Sequence, residues 1–362
     1  MGKILNQVKD DGVEGRKKMT LDLEKTTIKY KLEEREFEYL NEFATKSRTS
    51  VGRDKQEDEC PMRTNFQRDR DRIVHSKAFR RLKHKTQVFL SPFDDHFRTR
   101  LTHTLEVSQI GRTIARSLDL NEDLVEAISL GHDLGHTPFG HCGEGVLNEL
   151  VEGGFHHNIQ SVRVVKVLEN LNLCKETVDG ILTHTWGFQP KTPEGQVVQL
   201  ADKIAYINHD IDDSIRAGII SESDLPKECI KYFTSISQKR LNKMIEEIIA
   251  NSTGKPQITM SEEGWAHTTE LREWMFQNVY TNSPAKLEEN KAKRIIRELF
   301  GYYVEVLTPN CDKDKTQRIV CDYISGMTDR YAIEKFKENF IPKPLVNTTN
   351  DDYLFRLAKL IN

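Results

Sequence analysis

The stretch GHDLGHTPFGHCGE, residues 131–144, combines a helix end with the densest group of histidines and acids in the chain. Five side chains that can bind a metal ion or carry a proton fall within 13 residues: His132, Asp133, His136, His141 and Glu144. Imidazole and carboxylate groups together suit a divalent ion such as Mn²⁺, Mg²⁺, Fe²⁺, Co²⁺ or Ni²⁺. His132 and Asp133 are adjacent, so on a regular helix they would diverge by about 100°. They can share one ion only where a helix ends, and Gly131 and Gly135 offer the backbone freedom for such a turn.

Helical segments flank this stretch on both sides and predict a mainly α fold. Apolar residues recur three and four positions apart at residues 105–118, 121–136, 158–171 and 197–215. The same spacing continues through the C-terminal third, at residues 241–250, 271–280, 291–307 and 322–336. Asn121, which two acids follow, predicts a helix N-cap. We expect at most short β elements, near Gln87 to Phe93 and near Trp186 to Val197, where proline and glycine interrupt the pattern.

Composition and charge exclude several classes of protein. The net charge of −3 argues against a general nucleic-acid coat, and 37% hydrophobic with 30% charged residues is typical of a soluble chain. No apolar run approaches the roughly 20 residues that cross a bilayer, and the first residues lack a signal-peptide core. The six cysteines form no C-x-x-C pair and indicate reduced thiols. We therefore expect a cytoplasmic protein that does not associate with membranes.

The segment from residue 63 to residue 100 is basic, although the chain as a whole is acidic. Eleven lysines and arginines stand against four acids there, a balance of +7. For most of these charges a solvated helix face is the simpler interpretation. The functional alternative is that a few of them point into a site for a polyanion. Residues 1–30, before this segment, are predicted to form a charged extension.

Two further metal-ligand candidates lie far from the central stretch. His103 begins one helical run and Asp202 lies inside another, so the order along the chain is His, His-Asp, Asp. Helices of a bundle can bring such distant positions together, and metal sites are commonly built at the bundle centre. A single histidine is more often a hydrogen-bonded structural residue, so only the joint pattern favours a metal site.

Six ordered motifs carry a resemblance to a known family: FQRDRDRIVHSKAFRRLKHKTQVF (66–89), RTRLTHTLEV (98–107), GHDLGHTPFGHCGE (131–144), FHHNIQSVRVV (155–165), LADKIAYINHDIDD (200–213) and CDYISGMTDRYAIEKF (321–336). From about residue 30 to its C-terminus, the chain resembles the HD superfamily of phosphohydrolases, and within it the deoxynucleoside triphosphate (dNTP) triphosphohydrolases. The resemblance implies an HD-domain helical bundle over residues 31–218, including the basic, phosphate-facing segment 63–100. Residues 219–362 are expected to form helices that pack on this core and contribute to a subunit interface.

The resemblance also implies roles for individual residues. The expected ligands of a divalent metal ion are His103, His132, Asp133 and Asp202. The expected catalytic residues are His141 with Glu144, whose spacing puts both on one helix face, and His136 near the scissile phosphate. The expected substrate contacts are Arg100, Gln87, His157, Lys203, Tyr206 and Asp210. Phe276 matches a looser motif, in which it lies either beside the base or in the core.

The activity implied by the resemblance is hydrolysis of dNTPs to a deoxynucleoside and intact tripolyphosphate. Further expectations are a nucleotide activator, binding of single-stranded DNA in addition to catalysis, and a homo-oligomer. Two alternatives stay open on the sequence. One is another HD-type phosphohydrolase: a phosphomonoesterase, a cyclic-nucleotide phosphodiesterase or a guanosine tetraphosphate hydrolase. The other is a non-catalytic nucleotide or single-stranded nucleic-acid binding protein on the same scaffold.

Overall fold

The computed structural model describes residues 27–90, 97–281, 285–310 and 313–343. Within these ranges it contains fifteen α-helices, and β pairing is limited to two isolated bridges, Arg53 with Cys174 and Thr86 with Thr99. The helices are α1 Ile28–Tyr39, α2 Asn65–His75, α3 Lys77–Arg81, α4 Arg100–Ser117, α5 Glu122–Gly131, α6 Gly140–Leu150, α7 His157–Arg163, α8 Lys175–Thr183, α9 Pro193–Arg216, α10 Lys227–Phe233, α11 Ser237–Ser252, α12 Glu262–Met275, α13 Ala285–Leu307, α14 Lys313–Ser325 and α15 Asp329–Phe340. The mainly α prediction is confirmed.

A bundle of α4, α5 and α9 forms the centre of the molecule, with α2 and α8 packed against α5. Its apolar core continues into α11 and α12 and includes Ile110, Leu124, Ile204, Met244 and Met275. Local caps fix where the central helices begin. Asn121 accepts hydrogen bonds from the backbone N–H groups of Asp123 and Leu124 at the start of α5, as its position in the sequence predicts. Thr99 and Thr102 form a reciprocal capping box at the start of α4.

The last three helices form a separate layer, which packs against α6. Helix α13 contacts α6, α14 and α15, around a second apolar core that includes Phe139, Leu147, Ile296, Leu299 and Ile324. We call α13, α14 and α15 the C-terminal layer. Among the described residues, no helix is long and apolar enough to cross a membrane. Most of the expected N-terminal extension, residues 1–26, lies outside the described residues.

The two short β elements that the sequence suggested are not found in the described residues. Residues 87–90 form no strand, and residues 91–93 lie outside the described part of the chain. The segment from Trp186 onward turns and then enters α9, whose first residue is Pro193 and whose N-cap is Thr192. Proline is favoured in the first helical turn because its fixed φ suits the helix and its missing N–H costs nothing there. The proline that suggested a chain break therefore starts a helix.

Most charges of the basic segment are neutralised by neighbouring acids. Ion pairs join Arg63 to Asp71, Arg68 and Arg72 to Glu57, Arg70 to Asp71 and Glu126, Arg81 to Glu169, and Arg98 to Glu106 and Asp213. Arg100 is the one described cation of this segment that lines the main cavity. The geometry therefore favours the structural interpretation for most of these side chains.

Close packing, and not a left-handed backbone, explains the two glycines beside the His-Asp pair. Gly131 and Gly135 are absent from the residues with positive φ. A Cβ on Gly131 would lie 2.6 Å from the Ile181 side chain, and one on Gly135 would overlap the backbone of Gln160 and Ser161. The expectation that these glycines supply conformational freedom was wrong, because the limiting factor is the approach of α7 and α8.

Replacing Gly135 with alanine should therefore destabilise the fold. Backbone atoms cannot move aside as a side chain can, so Gly135→Ala is expected to lower the free energy of unfolding by about 1–3 kcal/mol or more. Gly301→Ala is the matched control, because Gly301 lies inside α13 and a Cβ added there would meet nothing within 4 Å. That change should raise stability by about 0.5–1 kcal/mol. Urea denaturation measures both, and equal behaviour of the two variants would contradict the packing argument.

Candidate active site

One large cavity, of about 850 Å³, opens between the bundle and the helices that follow it. Its walls come from α4, α6, α7 and α9, from the end of α12, from the first half of α13, and from residues 87–90 and 184–188. All but two of the sequence-predicted site residues line it: Gln87, Arg100, His103, Asp133, His136, His141, Glu144, His157, Asp202, Tyr206 and Asp210. The fold thus gathers side chains that are far apart in sequence.

Three of the four expected metal ligands line this cavity, and the fourth, His132, lies beside them. His132 is the residue that ends α5, as expected for an adjacent His-Asp pair. Its Nε2 lies 3.5 Å from Asp133 Oδ2 and 3.7 Å from Asp202 Oδ1, while Nε2 of His103 lies 3.0 Å from the same Asp202 oxygen. His132 and His103 come from the ends of α5 and α4, and Asp202 from the middle of α9. The donor atoms of His103, His132 and Asp133 form one close group, and His132 belongs to a second one with Asp202.

The hydrogen bonding of His132 shows that this group suits a cation. Nδ1 of His132 lies 2.7 Å from the carbonyl oxygen of Ser129, which can only accept, so Nδ1 carries the proton. Nε2 therefore presents a lone pair, is buried, and has no hydrogen-bond partner. It faces carboxylate oxygens, which are acceptors too. Arg100 donates to Asp133, and His103 lies within hydrogen-bond distance of Asp202. Nε2 of His132 has no such partner, and a divalent ion would supply one.

His184 belongs to this group, although the sequence did not point to it. Its Nδ1 donates to the carbonyl oxygen of Ile181 at 2.8 Å, which leaves Nε2 as an acceptor. Its donor atom and those of His132 and Asp202 lie within 4.8 Å of one another. Burial, followed by the neighbouring His132, lowers the pKa of His184 to about 3, so the ring is neutral and able to bind a metal. The only sequence signal was a histidine directly after a helix, which is too common to be informative.

Arg100 pairs with the metal-ligand candidate Asp133. The guanidinium lies 2.6 Å from Asp133 Oδ2, and both side chains are only 3% exposed. Burial alone would raise the pKa of Asp133, but the electrostatic influence of the neighbouring His132 and of the Arg100 guanidinium outweighs burial and holds it well below its ordinary value. Asp133 is therefore ionised. Arg100 touches the cavity, as expected, and also holds this carboxylate in place.

A second cluster of ring nitrogens lies beside the first. Glu144 receives hydrogen bonds from Nδ1 of His141 at 3.0 Å and from Nδ1 of His157 at 2.9 Å. Burial would raise the pKa of Glu144, but these two hydrogen bonds hold it well below its usual range. An ionised carboxylate only accepts, so both rings donate from Nδ1. Nε2 of His141 is then left for another partner, whereas Nε2 of His157 lies 3.3 Å from Nε2 of His184.

The rings of this cluster differ in exposure and in charge. His141 is open to the cavity, with 74% of its side chain exposed. His136 is buried and stacks on His157 at 4.3 Å between ring centroids. Burial, with the nearby Arg100, lowers the pKa of His136 well below its ordinary value, so it is neutral. For His157, burial acts in the same direction, but its hydrogen bond to Glu144 outweighs burial and raises the pKa.

A further part of the cavity wall, which we call the tyrosine–aspartate end, is built from α9 and the end of α12. Tyr206 and Asp210 lie on the same face of α9 as Asp202, as the spacing of four predicts. Nε of Arg272 donates to the Tyr206 hydroxyl at 3.1 Å, and the Tyr280 hydroxyl donates to Asp210. Burial raises the pKa of Asp210 to about 7. Arg272 and Tyr280 were not predicted, since their segment shows only an ordinary helical pattern.

One sequence-predicted residue, Lys203, occupies an unexpected position, and the structure distinguishes the two interpretations of Phe276. Lys203 is absent from the cavity lining, and its ammonium group lies 4.1 Å from the centroid of the Trp186 ring. Burial lowers the pKa of Lys203 to about 8. Phe276, in a π turn after α12, lines the cavity and is 59% exposed, so it is not a core residue. Gln87 lies where expected, with its side-chain oxygen buried and without a partner.

Comparison with known proteins agrees with this architecture. A family described as "HD domain" matches residues 100–207, and one described as "Phosphohydrolase-associated domain" matches residues 258–338. A deoxyguanosinetriphosphate triphosphohydrolase-like protein of Caldanaerobacter subterraneus subsp. tengcongensis is 56% identical over 327 residues, which cover 86% of this chain and 95% of that protein. Proteins of the same name from Desulfatibacillum aliphaticivorans and Clostridium perfringens are 46% and 48% identical, and the matches cover 88% and 84% of this chain and 100% and 95% of those proteins.

These matches place the chain among the HD-domain nucleotide phosphohydrolases, a class with which the helical fold and the donor groups agree. HD domains bind divalent metal ions, and the residues present here fit one. Within that class, the chain belongs to the family of deoxyguanosinetriphosphate triphosphohydrolase-like proteins.

Metal binding should depend on His132. Its unpartnered Nε2 is the best-defined donor of the group, so His132→Ala is expected to lower the metal content of purified protein at least tenfold. Helical circular dichroism should stay near that of the wild type. His156→Ala is the matched control, because His156 is exposed and lies on the cavity rim. Mass spectrometry of bound metals measures both, and full metal occupancy in His132→Ala would rule out this ligand.

Proposed function

We propose that this protein hydrolyses deoxynucleoside triphosphates to a deoxynucleoside and intact tripolyphosphate, with the help of a divalent metal ion. One observation carries the proposal. A single cavity is lined by His/Asp donors that can hold a metal ion, by the exposed imidazole of His141 with its partner Glu144, and by the tyrosine–aspartate end. A volume of about 850 Å³ lies within the range typical of sites for molecules of this size. The name of the relatives makes dGTP the first substrate to test.

The residues that would hold the metal are His103, His132, Asp133 and Asp202, with His184 close enough to join them. The ion would be Mn²⁺, Mg²⁺, Fe²⁺, Co²⁺ or Ni²⁺. When bound, it would polarise the α-phosphate and lower the pKa of a water molecule. The buried ring hydrogen bonds of His132 and His184 would keep their Nε2 atoms turned toward it.

His141 is the proposed general acid. Its Nδ1 donates to the ionised Glu144, which orients the ring. Its exposed Nε2 would give a proton to the 5′ oxygen as the bond from that oxygen to the α-phosphorus breaks. A nucleophilic role for His141 is the alternative. His136, which is neutral and buried beside it, would face the scissile phosphate.

Cations and the tyrosine–aspartate end would position the substrate. A dNTP carries about four negative charges, and Arg100 is buried at the metal end, where the α-phosphate would lie. His157 and Gln87 would contact the phosphate and the nucleoside. Lys203 would reach a phosphate only after leaving the ring of Trp186. Tyr206 would pack on the deoxyribose, and Asp210 would bind the 3′ hydroxyl.

Loss of the His141 ring should stop the chemistry and spare binding. His141→Ala is expected to keep the bound metal and to lower kcat by about a hundredfold or more, because the leaving 5′ oxygen loses its proton donor. His156→Ala, which removes an exposed histidine of the rim, should keep kcat near the wild-type value. Rate and metal content are measured on the same samples. Loss of metal from His141→Ala would instead make His141 a ligand.

Tyr206 should enforce the preference for deoxyribose. A ring packed against C2′ leaves no room for a hydroxyl group, and such a clash discriminates well between sugars. Tyr206→Ala is expected to lower dNTP turnover and to shrink the ratio of dNTP to rNTP turnover. Tyr206→Phe keeps the ring and loses only the hydroxyl that Arg272 contacts, so it should keep most of that ratio. An unchanged ratio in Tyr206→Ala would move the discrimination to another residue.

The identity of the reaction products tests the proposed function. Attack at the α-phosphorus should release tripolyphosphate and deoxynucleoside together, which anion-exchange chromatography separates from other products. A phosphatase would give dNDP and orthophosphate, and a pyrophosphatase would give dNMP and pyrophosphate. In oxygen-18 water, the label should appear on tripolyphosphate and not on the 5′ hydroxyl. Primary formation of dNMP or dNDP would contradict the proposed reaction but would not contradict the metal site.

A further inference from the structure

The motif CDYISGMTDRYAIEKF, residues 321–336, lies outside the cavity lining, although it was among the motifs that identified the family. It spans the end of α14 and the first half of α15. Asp329, the first residue of α15, is 2% exposed. A buried carboxylate needs strong partners. Those of Asp329 lie in two segments that lead into the cavity.

Asp329 joins residue 86 to the turn before α6. One carboxylate oxygen accepts from the backbone N–H of Thr86 at 2.9 Å and from its hydroxyl at 2.6 Å. The other accepts from the backbone N–H of Phe139 at 2.8 Å. The burial of this carboxylate raises its pKa, while the same three hydrogen bonds oppose the shift.

Phe139 occupies a backbone conformation that needs such support. Its φ is +63°, in the left-handed region, and it is the N-cap residue of α6 without a side-chain cap. A non-glycine residue is strained there, because its Cβ comes too close to the following carbonyl oxygen. The helix that starts at this turn carries His141 as its second residue and Glu144 one turn later. A Cβ on Gly140 would lie 3.3 Å from the carbonyl oxygen of Gln87, so the helix start fits closely against this segment.

Lys85 makes a second connection to the same turn. Its fully buried ammonium group donates to the carbonyl oxygen of His136 and, at 2.9 Å, to that of Ser325 at the end of α14. Its own carbonyl accepts from the backbone N–H of Arg100 at 3.0 Å. Residues 136–139 are thus held at one end by Lys85 and at the other by Asp329.

We propose that Lys85 and Asp329 are positioning residues through which the C-terminal layer sets the geometry of His136 and His141. Neither side chain lines the cavity, so neither is placed to touch substrate. The expected effect on kcat rests on the proposed function of these histidines. The expected effect on the geometry of the turn does not depend on it. The C-terminal layer is accordingly part of the catalytic apparatus, because the turn that presents His136 and His141 depends on it.

The test variant is Asp329→Asn, which keeps the shape of the side chain. An amide has one acceptor oxygen and one donor nitrogen, so it cannot accept from both Thr86 and Phe139. We expect kcat for dGTP to fall by roughly tenfold to a hundredfold, since a small displacement of a catalytic group has effects of this size. KM should stay near the wild-type value and metal content unchanged, because the metal ligands do not contact Asp329.

Hydrogen exchange provides a readout that does not depend on activity. In metal-loaded Asp329→Asn, peptides covering residues 134–145 should exchange faster than in the wild type, since Phe139 N–H loses its acceptor. Thr328→Ala is the matched control. Thr328 caps α15 through the N–H of Tyr331, so its loss should lower the midpoint of urea unfolding modestly without contact with the turn. Its kcat and its exchange at residues 134–145 should match the wild type.

Thr86→Val serves as a milder second variant if Asp329→Asn does not fold. It removes only the hydroxyl donor and should shift kcat and exchange in the same direction by smaller amounts. The proposal is overturned if kcat changes without faster exchange, if exchange changes without loss of kcat, or if Thr328→Ala reproduces both effects. Should the wild type not release tripolyphosphate, the proposed function fails, while exchange at residues 134–145 still decides whether Asp329 holds the turn.

Discussion

The site depends on a buried concentration of acceptor atoms at one end of the helical bundle. Two carboxylates and the lone pairs of imidazole rings meet there, with Nε2 of His132 left without a hydrogen-bond partner. Such an arrangement is costly in a low-dielectric interior unless positive charge compensates it. Arg100 supplies part of that charge through Asp133, and a divalent ion would supply the remainder. The packing of α4, α5 and α9 brings these groups together.

Glu144 and Asp329 are two carboxylates that each hold part of the site in place through hydrogen bonds that they accept. Glu144 lies beside the cavity and fixes which nitrogen of His141 and His157 carries the proton. Asp329 lies in the C-terminal layer and holds the turn from which the helix of Glu144 starts. A carboxylate can do both because it accepts several hydrogen bonds at once and is ionised where donors surround it. The C-terminal layer thereby contributes to the site through residues that do not line the cavity, in addition to Glu289 and Lys293 of α13, which do.

The sequence by itself determined the features that follow from helical repeats and caps. A His-Asp pair at a helix end, the cap at Asn121, and the common face of Asp202, Tyr206 and Asp210 are consequences of spacing along one element. The resemblance carried by ordered motifs added the long-range pairing of His103 with these groups. For these positions, the structure agrees with the sequence because backbone geometry or family membership already constrains them.

Only the tertiary structure decided which side chains meet across elements. His184 enters the metal group, Arg272 reaches Tyr206, and Lys203 turns toward Trp186, all through contacts between different segments of the chain. The contacts of Asp329 with Thr86 span 243 residues. No local pattern encodes such distances, because the energy that fixes them comes from burial and from the need to satisfy buried polar groups. Spacing along the chain fixed the faces of the helices, and their packing decided what each face meets.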